Sequence, residues 1–331
     1  MTTLRRRAVG LVAPGASPPL TLAALLAVYV IWGSTYFGIR LAIDTIPPLL
    51  MSGVRFMVAG LLMCAFALRH RATPEAGRIR TRLPSLAQCR ATLVVGTALV
   101  AVGNGGVTLA EEAVPSGVVA LLIATVPLWM AFLANCFLGE RLRPAAWLGI
   151  AVGLAGVALL LRPGGGGNRA AMLAVLVSPL CWAAGSLYAR RADLPSSTIL
   201  STGMEMLFGG AVLLAVGLIR GEAGRVHLGA FSSTSVLAFV YLVLIGSIIG
   251  YSSYVFILTA LPTAVVATYA YVNPLVAVAL GALFLGEVVR GQTLVAGGLI
   301  VVAVALILAQ PVRRHRPGDV PDHLPDQRAA A

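Results

Sequence analysis

"FLGE" occupies residues 137–140 and returns at 284–287, each time ten residues after a proline, Pro127 and Pro274. The separation of 147 positions also aligns Pro115 with Pro262, Val118 with Val265, Leu133 with Leu280 and Arg143 with Arg290, with no gap. Earlier in each half a separation of 150 aligns Trp32 with Trp182, Arg40 with Arg190 and Gly53 with Gly203. The three-residue difference falls in the longer loops. The chain therefore reads as two copies of one unit, and its fold depends on what that unit is.

Of 331 residues, 59% are hydrophobic and only 11% charged, where soluble domains carry about a quarter charged. With a mean hydropathy of +0.93, the solvent of this chain is lipid. Apolar runs of the roughly 20 residues needed to cross a bilayer as a helix lie near 20–42, 47–69, 92–110, 115–135, 144–162, 170–190, 197–219, 235–258, 262–285 and 290–310. They are rich in Ala, Leu and Gly without alternation, which selects helices over a barrel. The expectation is an all-α polytopic membrane protein with ten transmembrane helices. The first repeat covers 20–162 and the second 170–310; "RPGGGGN" at 162–168 is a flexible linker between them, and 311–331 is a tail. Five spans per unit is an odd number, so the second copy enters the bilayer from the other side and the repeats are inverted.

The net charge of +12 comes entirely from arginine; the chain has no lysine. With the amino terminus in the cytoplasm, 17 of the 24 arginines lie on the cytoplasmic side, six (Arg40, Arg162, Arg169, Arg220, Arg225 and Arg290) on the other, and Arg55 within a span. This asymmetry orients the chain with both termini cytoplasmic and makes nucleic acid an unneeded partner. "RRR" at 5–7 precedes an apolar stretch, but Pro18 and Pro19 interrupt it, and the reading is an uncleaved first helix. Four scattered cysteines give neither a disulfide framework nor a metal site. An enzyme would need clustered His, Asp, Glu or Cys near an interface, yet His70, His227, His315 and His323 all fall in loops or tails. The glycine runs lack the Lys-Ser/Thr of a phosphate loop. No cofactor is expected.

Inverted repeats serve alternating access: exchanging the conformations of the halves turns an inward-open state into an outward-open one, with the solute site between them near the midplane. "YVIWGSTYFGIRLAIDTIPPLLMSGVRFMVAG" at 29–60, together with the proline and "FLGE" pattern in each half, resembles the EamA family of the drug/metabolite transporter superfamily over residues 20 to 310. The resemblance implies two EamA repeats in a bacterial inner membrane and a carrier of small metabolites, often an exporter of amino acids or related compounds. Small multidrug carriers of the same superfamily use an acid in their first helix; spans 1 and 6 here have none, which disfavours the alternative of proton-coupled drug efflux.

Ionisable side chains inside spans cost about 2.5 to 3.5 kcal/mol each on insertion scales. Arg55 and Glu205, separated by 150, are the two clear cases. They pair with each other, or locally as Arg55 with Asp44 and Glu205 with Arg190, or Arg55 snorkels to the interface. Glu205 reads as the one deep carboxylate and hence the candidate for proton coupling. Trp32, Thr35, Tyr36, Asn104, Trp182, Tyr251, Tyr269 and Asn273 are the candidate cavity residues, since amides, hydroxyls and rings in apolar spans either bind solute or join helices. Pro127 and Pro274 are expected to kink spans 4 and 9. Gly139 and Gly286 suit the position past a helix end, with Glu140 and Glu287 near the start of the following helix, where the dipole favours an acid. Few fixed charges inside point to a small neutral or zwitterionic solute as the partner, with lipid around the bundle.

Overall fold

The computed structural model describes residues 17–69, 83–139, 142–162, 167–261, 263–266 and 268–308. Glu140, most of the glycine linker, most of the arginine-rich segment and the tail lie outside these. Among the described residues seven helices are long and apolar enough to cross a membrane: α1 (Pro18–Ala42), α2 (Pro48–Arg69), α3 (Leu86–Ala110), α4 (Ser116–Phe137), α6 (Arg169–Ala189), α7 (Thr198–Ile219) and α8 (Ser233–Leu258). Three shorter apolar helices are α5 (Pro144–Leu160), α9 (Tyr269–Phe284) and α10 (Gly291–Leu308). Large apolar side chains such as Leu22, Leu61, Phe66 and Leu294 point outward. In water that surface would be a liability; in hydrocarbon it is the solvated face.

Helix starts follow local chemistry. Pro18 and Pro144 stand in first turns, where a missing amide hydrogen costs nothing. Ser85 and Gln88 form a reciprocal capping box at α3, which sets its start several residues before the apolar run does. Asn168, Ser197 and Ser232 cap α6, α7 and α8. Two further starts are capped from far away. The Glu222 carboxylate accepts the Leu49 and Leu50 amides of α2, at 3.0 Å each. Glu287 accepts the Ser116 and Gly117 amides of α4, at 2.7 and 3.2 Å. The dipole argument for Glu287 is right in kind, but the helix it serves is α4 and not α10. Gly286 and Gly139, at φ +65° and +69°, turn the chain just after α9 and the second part of α4.

Glycine governs the closest packing. α2 and α7 run antiparallel: a Cβ on Gly60 would stand 2.6 Å from the Gly203 carbonyl oxygen, and one on Gly210 would stand 2.9 Å from that of Gly53. α5 and α10 meet similarly, Gly149 against the Ala303 carbonyl and Gly156 against the Ala296 carbonyl, each at 2.9 Å for the same added atom. Around these pairs, α1 packs on α8 and α9, and α6 packs on α3 and α4.

Four helices, α3, α4, α6 and α8, are interrupted along their length. α4 pauses at Ala124 and Thr125, so that Pro127 falls in the first turn of the resumed helix. It marks a break there and does not kink a continuous helix. Pro274 does sit inside α9, which follows a separate turn at Thr263–Val266. α3 and α8 each contain a π-helical stretch, Thr97–Asn104 and Leu242–Ile249. Such wide turns re-aim side chains and recur at functional sites.

Candidate functional site

Helices α1, α2, α3, α4, α6, α8 and α9 enclose a cavity of about 110 Å³. Its lining includes all eight residues singled out for their polar or aromatic chemistry: Trp32, Thr35 and Tyr36 on α1, Asn104 on α3, Trp182 on α6, Tyr251 on α8, and Tyr269 and Asn273 on α9, together with Arg55, Pro127 and Pro274. Sequence reading missed Gly103, Ser178 and Pro179 in the same wall. Gly103 is small because the Trp182 ring occupies the place of a side chain, 2.8 Å from where its Cβ would be.

The wall has an aromatic side and an amide side. The Trp32 ring centre lies 5.2 Å from that of Tyr251, 4.9 Å from Tyr254 and 5.3 Å from Tyr269, the Tyr269 ring edge-on. Both Trp32 and Trp182 thus face the interior and do not form an interfacial belt. Asn104 donates to the Leu99 carbonyl at 3.1 Å, a bond the π-helical stretch makes available. The Asn273 amide donates to the Tyr29 and Tyr269 carbonyls, 3.2 Å each, in the orientation its neighbours require. Beside it Pro274 lacks an amide hydrogen, which leaves the Ala270 carbonyl in the wall without its helical donor.

Arg55 is the one charged residue among the described lining residues. It is 3% exposed, so it does not snorkel. Its Nε donates to Ser247 Oγ at 3.0 Å, in the π-helical stretch of α8, while Nη1 has no hydrogen-bond partner. The guanidinium carbon lies 4.6 Å from the Phe56 ring centre. Its electrostatic neighbours are Tyr251, Tyr241 and Glu111, not Glu205 or Asp44. Glu205 is partly buried outside the cavity wall, where its carboxylate accepts from Ser201 Oγ at 2.9 Å and its backbone packs on Gly96 of α3.

Glu205 is also not the most buried acid. Glu222 is 2% exposed and Glu111, just past α3, is 1% exposed. The "EE" at 111–112 looks like an ordinary loop, and only the fold hides its first member. The Glu111 backbone carbonyl accepts from Arg40 Nη1 at 2.9 Å, but neither carboxylate oxygen has a partner. Burial, and next the Glu287 carboxylate, hold this acid well above the usual carboxylate range, against the pull of Arg40 and Arg55. An acid raised in the fold is still protonated where an unfolded glutamate has ionised, so its contribution to stability is lost as pH rises. Glu111→Gln is neutral throughout and is expected to melt above the parent by a margin that widens as pH rises above the ordinary glutamate pKa of about 4.3. A margin constant with pH would show that Glu111 does not titrate in this way.

Comparison with known proteins gives this cavity its context. The model of the EamA-like transporter family matches residues 19–162 and again 169–309. The chain is 42% identical over 288 residues to "Uncharacterized inner membrane transporter YedA" of Escherichia coli K12, covering 86% of this chain and 89% of that one. It is 31% identical to "Probable terminal-alkyne amino-acid exporter" of Streptantibioticus cattleyicolor, covering 90% and 96%. It is 25% identical to "Probable amino-acid metabolite efflux pump" of Escherichia coli K12, covering 83% and 90%. A solved structure titled only "Crystal structure of protein" superposes with a TM-score of 0.58 at 21% identity, over 88% of this chain and 96% of that one, which supports the fold. With both halves matched and the cavity walls drawn from each, the chain belongs to the EamA-like transporter family of the drug/metabolite transporter superfamily and is a multi-pass membrane transporter, not an enzyme.

Proposed function

We propose that this protein is a secondary transporter of the inner membrane that exports a small neutral or zwitterionic, amino-acid-like metabolite by alternating access. In this reading α1 to α10 are ten spans in two inverted five-helix repeats, and both termini are cytoplasmic. The observation that carries it is the pairing of repeat mates across α2 and α7. Gly53 and Gly203 are 150 positions apart, as are Gly60 and Gly210, yet Gly60 meets Gly203 and Gly53 meets Gly210. Such a crossed match is what a pseudo-twofold axis in the membrane plane produces. Gly149 and Gly156 cross with Ala303 and Ala296, their counterparts at 147, in the same manner. The cavity lies between these units, and Asn104 and Tyr251, also 147 apart, face it from opposite halves.

The names of the amino-acid exporters among the relatives support the substrate class, and the arginine asymmetry supports the orientation. Cells loaded with labelled amino acids are expected to release at least one of them faster when they carry the protein. Equal release across the panel, with the protein present in the membrane, would overturn the assignment. Glu205 retains the role of coupling carboxylate in this account, acting on the cavity through α3. Glu205→Gln is expected to flatten the pH dependence of efflux, and an unchanged profile removes Glu205 from coupling.

A further inference from the structure

We infer that Arg55 is the anchor of the cavity, its guanidinium binding the carboxylate of the transported solute. This rests on the transport reading above and specifies which end of the solute is held, and by what. A buried guanidinium normally has a carboxylate partner, because an uncompensated charge away from water is costly. Arg55 is 3% exposed and its Nε is fixed by Ser247, but Nη1 meets no protein acceptor. The nearest internal acid in electrostatic terms, Glu111, makes no hydrogen bond through either carboxylate oxygen. Among the described residues the fold therefore holds a cation at a cavity wall without a hydrogen-bonded anion.

Gly246 leaves room beside the guanidinium: a Cβ there would come within 3.3 Å of Arg55 Nη2 and 3.2 Å of Thr35 Cγ2. Phe56 and Ser247 hold the guanidinium, so its place is set before any solute arrives. In the same lining, Trp32, Tyr251 and Tyr269 present rings suited to an apolar side chain, and also to an ammonium over a ring face. A carboxylate accepting from Arg55 would make charge-assisted hydrogen bonds, the strongest class available in such a site. An amine or a carboxamide of the same shape would leave the guanidinium charge uncompensated. The ligand class is thus a small carboxylate with an apolar or aromatic body, amino acids among them.

The test uses full-length protein in proteoliposomes, with efflux of labelled leucine and phenylalanine competed by each unlabelled acid, its carboxamide and its decarboxylated amine. The wild type is expected to prefer the acid by about 10- to 100-fold in half-inhibiting concentration, the range expected of a hydrogen bond to a charged group. Arg55→Gln is expected to remove most of that preference and Arg55→Lys to keep part of it. Equal competition by acid and amide in the wild type overturns the anchor without relying on any variant. So does an Arg55→Gln protein that transports and still discriminates as the wild type does. In both cases transport itself stands. If the wild type moves neither amino acid, the substrate assignment and the anchor fail together.

Discussion

Gly60→Val is expected to leave little folded protein in the membrane. The first carbon of the new side chain would lie 2.6 Å from the Gly203 carbonyl oxygen and 2.8 Å from the Leu207 amide nitrogen. Both are backbone atoms of α7, so no rotamer change relieves the clash and the two helices must separate. Overpacking of this kind costs typically 1–3 kcal/mol, about the upper end where backbone has to move. The separation also spreads to the Gly53 and Gly210 contact two turns away. Gly298→Val provides the control, because Gly298 is exposed on α10 with nothing within 4 Å of its added carbon. The yield of monodisperse protein after extraction should drop several-fold for Gly60→Val and stay near the parent for Gly298→Val. Equal yields would mean that α2 and α7 do not meet as described.

Thr35→Trp is expected to reduce efflux to the level of cells without the protein while leaving its amount in the membrane intact. Thr35 is on the cavity wall, half-buried, with its hydroxyl turned back to the Trp32 carbonyl at 2.6 Å. An indole placed there enters open space of about 110 Å³ and not a close-packed core, so the fold can accept it. The solute cannot then share the site. Immunoblot of membranes and efflux of a transported amino acid check the two halves of the statement. Transport near the parent rate would place the solute path elsewhere.

Much of this architecture was legible before any coordinates, because lipid leaves a chain few choices. The all-helical, multi-pass character follows from apolar length, while the inverted arrangement proposed above rests on an odd helix count in a duplicated unit. The chemistry-bearing cavity residues were also legible, since Asn104, Asn273 and the aromatic groups are conspicuous against an apolar background. What stayed hidden depends on tertiary contact. Glu287 looks like a residue for its own following helix, and only the fold brings Ser116 and Gly117 to it. Glu111 resembles a loop acid until α1 and Arg40 cover it. The break before Pro127 shows the same limit: a proline marks where a continuous helix is disfavoured, but whether the chain kinks or restarts is settled by its neighbours. Arg55 and Glu205, matched in sequence, do not meet because their helices touch through the glycine faces while Arg55 turns to α8 and the cavity.

The opposed threading of the two halves is most directly tested by single cysteines at Arg143 and Val288, both exposed, in a protein whose four native cysteines are replaced. In intact cells a membrane-impermeant maleimide is expected to label Val288→Cys at once and Arg143→Cys only after the membrane is opened. Labelling of both from the same side of the intact membrane would contradict the inverted repeat and the solute path built on it.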